Sequence, residues 1–159
     1  MLFTFYTDTL NYLYDALTQD KDFMSKFNKK IDKIEGSLSI KQRIDKITEF
    51  LEGDTYLLMS TDLLSEGQNL QIAKSLVNYD LHWNPTRMIQ RAGRIDRIGS
   101  PYEMIDVYNF FPEDELETLL NLVKILQRKI RNIDQSIGLD ASVLGEAINP
   151  KVFVVLNDI

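Results

Sequence analysis

Apolar residues along this chain follow two alternating rhythms: short dense runs, and longer stretches in which they recur every third or fourth position. The dense runs predict strands at residues 2–6, at 33–35 where Gly36 ends it, at 55–60, at 75–80, and at 104–111 where Pro112 closes it. The slower rhythm predicts helices between them. Leu10, Leu13, Tyr14 and Leu17 follow Thr7 or Asp8 as a cap; Ile40, Ile44, Ile47 and Leu51 follow Ser37 or Ser39 and stop at Gly53. From Glu113 a long helix carries Leu116, Leu119, Leu120, Val123, Leu126 and Ile130 toward a core, and the remainder through Leu144 and Val152 to Ile159 also reads as helical. Strands alternating with helices predict an α/β layer fold with a mainly parallel sheet. In open sheets of this kind ligands gather at the carboxyl ends of the strands, which places Ser60, Thr61, Asp62 and Asp80 at the favoured edge.

Composition narrows the function classes. The 159 residues, 44% hydrophobic and 26% charged, are those of an ordinary globular protein long enough to bury a core. With no cysteine, disulfides, thiolate zinc sites and cysteine nucleophiles are excluded, and a reducing compartment is permitted. His82 is the only histidine, which leaves no multi-histidine metal site. No apolar run approaches the roughly 20 residues that span a bilayer, and no basic flank of a signal peptide precedes the first strand. The chain therefore reads as cytoplasmic and without membrane contact. Strand residues follow Met1 at once, as expected of a piece of a longer chain.

Charge then singles out one stretch. The net charge is −6, yet four of the seven arginines, Arg87, Arg91, Arg94 and Arg97, crowd around the sequence QRAGRIDRIG. On a helix over 86–98, Gln90, Arg94 and Arg97 share one arc with Arg87 and Arg91 beside it, while Met88, Ile89, Ala92 and Ile95 lie opposite. Asp96 breaks the division, and the helix could end near Gly93 or Gly99. Such a face is either a solvated one with neighbouring partners or a site for an external anion. Asp96 is the only carboxylate inside the segment, which favours the anion, and the guanidinium fork suits phosphate at any working pH. Upstream, Ser60, Thr61 and Ser65 are of the type that caps helical turns or contacts phosphate, and Gly67 is either a turn residue or a point of close ligand approach. Trp83 with Pro85 reads as a loop anchor.

The blocks STDLLSEGQNLQ and QRAGRIDRIG, joined by VNYDLHWNP, resemble motifs V and VI of superfamily two helicases, specifically the Swi/Snf-type ATPases and among them the bacterial RNA-polymerase-associated helicase-like variety. LFTFYTDTLNYL resembles motif IV, and EGSLSIKQR the block that follows it. The resemblance implies a three-layer α/β/α RecA-like lobe over residues 1–112 with a helical C-terminal extension over 113–159. No GxxxxGK[ST] is present, so the resemblance is to the second, carboxy-terminal lobe alone. It implies that ATP with Mg²⁺ is held mainly by a first RecA-like lobe elsewhere in the parent chain, and that nucleic acid, with double-stranded DNA favoured, lies across both lobes.

Carried over by position, the resemblance makes Arg94 and Arg97 the arginine fingers, with Gln90 setting their geometry. Gly67 and Asn69 would lie on the ribose side of the nucleotide; Ser60, Thr61, Thr7 and Ser37 would meet the nucleic-acid backbone. Arg91 departs from the small residue usual in the family, and its role stays open; Asp80 and Trp83 are assigned to structure. The resulting expectation is the motor lobe of an ATP-dependent DNA translocase, inactive as an ATPase by itself. The alternative is a nucleic-acid or protein docking module derived from a helicase lobe. An unrelated flavodoxin-like domain offers no account of the arginines.

Overall fold

The computed structural model describes residues 1–26, 30–65, 70–111 and 121–137. Five strands form one parallel sheet in the order β2-β3-β1-β4-β5: β1 (Leu2–Phe3), β2 (Lys30–Ile34), β3 (Thr55–Ser60), β4 (Ser75–Asn78) and β5 (Asp106–Asn109). Among the described residues the helices are α1 (Thr7–Gln19), α2 (Lys21–Ser25), α3 (Ile40–Leu51), α4 (Pro85–Ile95) and α5 (Leu122–Ile137), with a 3₁₀ turn at Asp62–Ser65.

Alternation along each strand splits its side chains between two cores. Leu2, Ile31 and Met59 meet Leu10, Leu13 and Leu17 of α1 on one face. On the other, Phe3, Ile34, Leu58 and Leu76 meet Ile47 and Phe50 of α3 and Ile95 of α4. Covering both faces of β1 and β3 makes the strands read as continuous apolar runs, as a buried parallel sheet requires. A third cluster joins Met88 of α4 and Leu81 to Leu122 and Leu126 of α5, which fixes α5 beside α4.

The architecture is the α/β/α sandwich expected, with several local corrections. The cap of α1 is Tyr6, with no side-chain hydrogen bond, so Thr7 and Asp8 lie inside the first turn. Phe5 and Tyr6, read as part of a buried strand, are exposed beyond its end. A short α2 occupies the polar stretch before β2, held by Asp20, whose carboxylate accepts the Phe23 amide at 2.9 Å. Ser39, not Ser37, caps α3, in a reciprocal capping box with Gln42, and Gly53 follows with φ 85°. The apolar stripe of α3 is turned from the expected one: Ile47 and Phe50 are buried, whereas Ile40 is 76% and Ile44 52% exposed. The predicted helical residues 113–120 and 138–159 lie outside the described residues. Among the described residues no helix is long and apolar enough to cross a membrane.

Two buried polar groups fasten the sheet. Asp32 in β2 accepts from Lys46 and from the Lys33 amide at 2.8 Å, with Lys30 at 3.3 Å. The Met1 amine donates to the Ser75 carbonyl at 2.9 Å, and burial pushes its pKa down to about 5.

Candidate nucleotide and nucleic-acid faces

Topology separates the predicted site residues into two groups. α4 takes the chain from the carboxyl end of β4 back toward the amino end of the parallel strand β5, so its first residues and its last lie at opposite edges of the sheet. Asn84 caps α4 at the carboxyl edge, its side-chain oxygen accepting the Thr86 amide at 3.1 Å, and the buried Pro85 opens the first turn. The helix ends at Ile95 with Asp96 as its C-cap.

Arg94 therefore sits half-buried in the last turn of α4, and Arg97 lies exposed beyond the helix, in the turn that runs to Gly99 at φ 94°. Gln90 is exposed one turn before Arg94. These residues belong toward the amino end of the strands, away from the carboxyl edge where ligands of open sheets usually bind. Residues 70–71 lie against them: the Leu70 amide donates to the Arg94 carbonyl at 3.0 Å, and Ser100 Oγ donates to the Gln71 carbonyl at 3.3 Å. Gly67 and Asn69 lie outside the described residues, directly before Leu70.

The second group follows the carboxyl ends of β1, β2 and β3, whose connections bring Thr7, Ser37, Ser60 and Thr61 to one rim. Thr7 and Ser37 are exposed there. Arg43 holds the turn containing Ser37, donating to the carbonyls of Gly36 at 2.8 Å and Leu38 at 2.9 Å. Ser60 differs from the expectation. It is fully buried, and its hydroxyl is placed between the carbonyls of Ile34 at 3.1 Å and Thr61 at 2.9 Å, so it fastens β3 to β2 and presents nothing to solvent. Thr61 is buried as well. Asp80 is structural, as expected: it accepts from Thr4 Oγ1 at 2.5 Å and from the Phe5 amide at 2.7 Å.

Arg91 is the main departure from the helix-face reading. It belongs to the buried side of α4 and is 0% exposed. Its Nε and Nη2 both lie 2.7 Å from Oδ1 of Asp62, and Nη1 donates to Asn78 Oδ1 at 3.0 Å. The Phe3 ring lies 5.4 Å from its guanidinium carbon. The missing carboxylate of the arginine stretch is thus Asp62, supplied by another element.

Aromatic rings also gather on the same rim. Phe5 packs edge-on against Tyr6 at 5.0 Å and tilts against His82 at 5.2 Å, with Trp83 half-exposed nearby in the chain. Lys129 of α5 donates to the Trp83 carbonyl at 3.0 Å, which anchors that loop. Among the described residues no three His, Asp or Glu side chains come together to hold a metal ion.

Residues 1–99 match the helicase conserved C-terminal domain family. The chain belongs to this family. The lobe is 34% identical over 94 residues, 59% of its length, to the uncharacterized ATP-dependent helicase YqhH of Bacillus subtilis, covering 16% of that protein. It is 47% identical over 57 residues, 36% of its length, to the RNA polymerase-associated protein RapA of Vibrio cholerae, covering 6% of it. ATP-dependent RNA helicases are among its relatives too. Its fold is similar to that of the C-terminal part of the Fun30 ATPase domain, with a TM-score of 0.65 at 22% identity over 79% of this chain and 38% of that one. The family and the fold together make this a helicase C-terminal lobe of RecA-like architecture, as the motifs led one to expect. It spans a small fraction of the length of these relatives.

Proposed function

We propose that this lobe is the carboxy-terminal half of an ATP-dependent translocase motor acting on double-stranded DNA, and that Arg94 and Arg97 complete its ATP site when a first RecA-like lobe closes against it. The observation that carries the reading is the separation of the two faces: the arginines lie at one edge of the sheet and the rim carrying Thr7 and Ser37 at the other, with α4 running between them. A motor needs such a division, because nucleotide and nucleic acid must be bound at once and must sense each other.

The donor chemistry of the first face fits phosphate. Two permanently charged forks on the end of a helix, one half-buried and one exposed, can be presented to an anion held by another body. ATP with Mg²⁺, held mainly by the first lobe, would supply the phosphoryl group and the metal charge. On this chain Arg94, fixed by the last turn of α4, would take the anion first; Arg97, on the following turn, would reach farther across the cleft. Gln90 would brace them, and Gly67 and Asn69 would border the ribose side. The rim would meet the DNA backbone through Thr7 and Ser37, while the buried Ser60 and Thr61 act by holding the ends of β2 and β3 beneath it. The 47% identity over 57 residues to RapA, a protein named for association with RNA polymerase, against 28–31% to the RNA helicases, favours the Swi/Snf-type reading, and the parent would then work in the cytoplasm.

The test compares this chain with the full-length parent for ATP hydrolysis in the presence of double-stranded DNA, single-stranded DNA and RNA. The expected result is no turnover by the lobe alone and turnover by the parent stimulated most by double-stranded DNA. Stimulated turnover by the isolated lobe would overturn the one-lobe reading, and preferential stimulation by RNA would overturn the substrate assignment.

A further inference from the structure

We propose that Arg91 is a positioning residue that locks the segment after β3 to the arginine-bearing end of α4, so that the two faces of the lobe move as one body. The inference rests on the functional reading above and deepens it. Two ties carry it. Arg91 grips Asp62, at the start of the segment, through two nitrogens at 2.7 Å, and the Arg94 carbonyl accepts the Leu70 amide, at the segment's end, at 3.0 Å. Asp62 and Leu70 are therefore each held to α4, at points less than one helical turn apart along it. That segment begins at the rim, directly after Thr61, and ends beside Arg94.

The chemistry of the pair argues for alignment over simple packing. Burying a guanidinium and a carboxylate is costly, and apolar side chains of the same size would often hold the core as well. What the ion pair adds is direction: a planar fork fixed on Asp62 and Asn78 at once allows one orientation. Asn78 in turn donates to Asn109 Oδ1 at 2.8 Å, which extends the constraint to β5, the strand to which α4 leads. A shift or rotation of α4 that misplaced Arg94 would break these bonds, so Arg91 transmits the position of the rim segment to Arg94 with little slack. Removing it should lower the rate of the chemical step with little effect on ATP binding.

Two variants of the full-length parent test this beside Arg94→Ala: Arg91→Met combined with Asp62→Leu, which leaves no unpaired buried charge, and Arg91→Lys, which keeps the charge opposite Asp62 but cannot also reach Asn78. Nucleic-acid-stimulated kcat, KM for ATP and thermal melting are measured for each, and hydrogen exchange of the Leu70 amide is measured in this 159-residue chain. The expected result is cooperative melting, kcat lowered about tenfold or more, KM changed by less than about twofold, and faster exchange at Leu70. Wild-type kcat in either folded variant, with Arg94→Ala inactive, overturns the inference. Should Arg94→Ala itself turn over normally, the functional reading fails instead, and Leu70 exchange alone decides: unchanged protection refutes the lock, faster exchange upholds it.

Discussion

Leu70 and Arg94 are joined main chain to main chain, the Leu70 amide donating to the Arg94 carbonyl at 3.0 Å. The last turn of a helix leaves its carbonyls without partners inside the helix, so a donor from another element there both satisfies the helix end and fixes its position. With Asp62 held by Arg91 three residues earlier, the arginine helix is fastened at two points to residues that precede it in the chain, and its stability and its geometry share the same residues.

The first prediction concerns that fastening. Arg91→Ala removes one partner of a buried pair and leaves Asp62 without its cation and Asn78 without its donor. It should destabilise the lobe by about 3–5 kcal/mol, whereas the paired apolar replacement should cost much less. Urea denaturation of both variants measures the difference.

A second prediction follows from Asp32. Burial pushes its carboxyl pKa up, but hydrogen bonds from Lys46 and the Lys33 amide, the charge of Lys46 and the hydrogen bond from Lys30 outweigh burial and hold it below the ordinary value. A folded pKa below the unfolded one means the unfolded chain binds the proton more readily. The stabilisation is thus complete above the unfolded value of about 4 and is lost as pH falls through the lowered folded value. Denaturation midpoints from pH 6 to the acid limit, compared with Asp32→Asn, should show a steeper acid loss in the wild type.

The Met1 amine gives a third, in a different window. In the 159-residue chain, where this amine is free, its pKa of about 5 in the fold lies below the ordinary value of 8.0, so the unfolded chain binds more protons between these values and stability rises with pH across that interval. Acetylation of the amine should flatten the rise, read as the change of melting temperature between pH 5 and pH 8.

The fourth is local. Ser39→Ala breaks the capping box of α3 and should cost about 1 kcal/mol, with Ser37→Ala close to neutral, since only Ser39 caps the helix. Thermal melts of the two variants distinguish them.

How much of this was legible in the sequence depends on the distance over which each feature is determined. Residues 55–60 form a strand with the predicted bounds because a central strand is apolar on both faces, and α3 has its cap and stop written within its own length. What periodicity could not say was which stripe of α3 faces the sheet; packing against Leu58 and Ile34 selects Ile47 and Phe50 and leaves Ile40 outside. The polar α2 offers no buried face to detect and depends on the Asp20 cap. Arg91 was read as part of a cationic surface because its carboxylate stands 29 positions away, beyond any local pattern. Likewise, the carboxyl-edge rule pointed to Ser60 and Thr61, which are buried there, while the direction of α4 carries Arg94 to the other edge.

The central claim is that Arg94 and Arg97 act on a nucleotide held by another lobe, and single-turnover ATP hydrolysis by the full-length parent bearing Arg94→Ala or Arg97→Ala tests it most directly. The account predicts a rate reduced by about 10³-fold or more with DNA binding retained and the lobe still folded. Hydrolysis at the wild-type rate in both variants would contradict it.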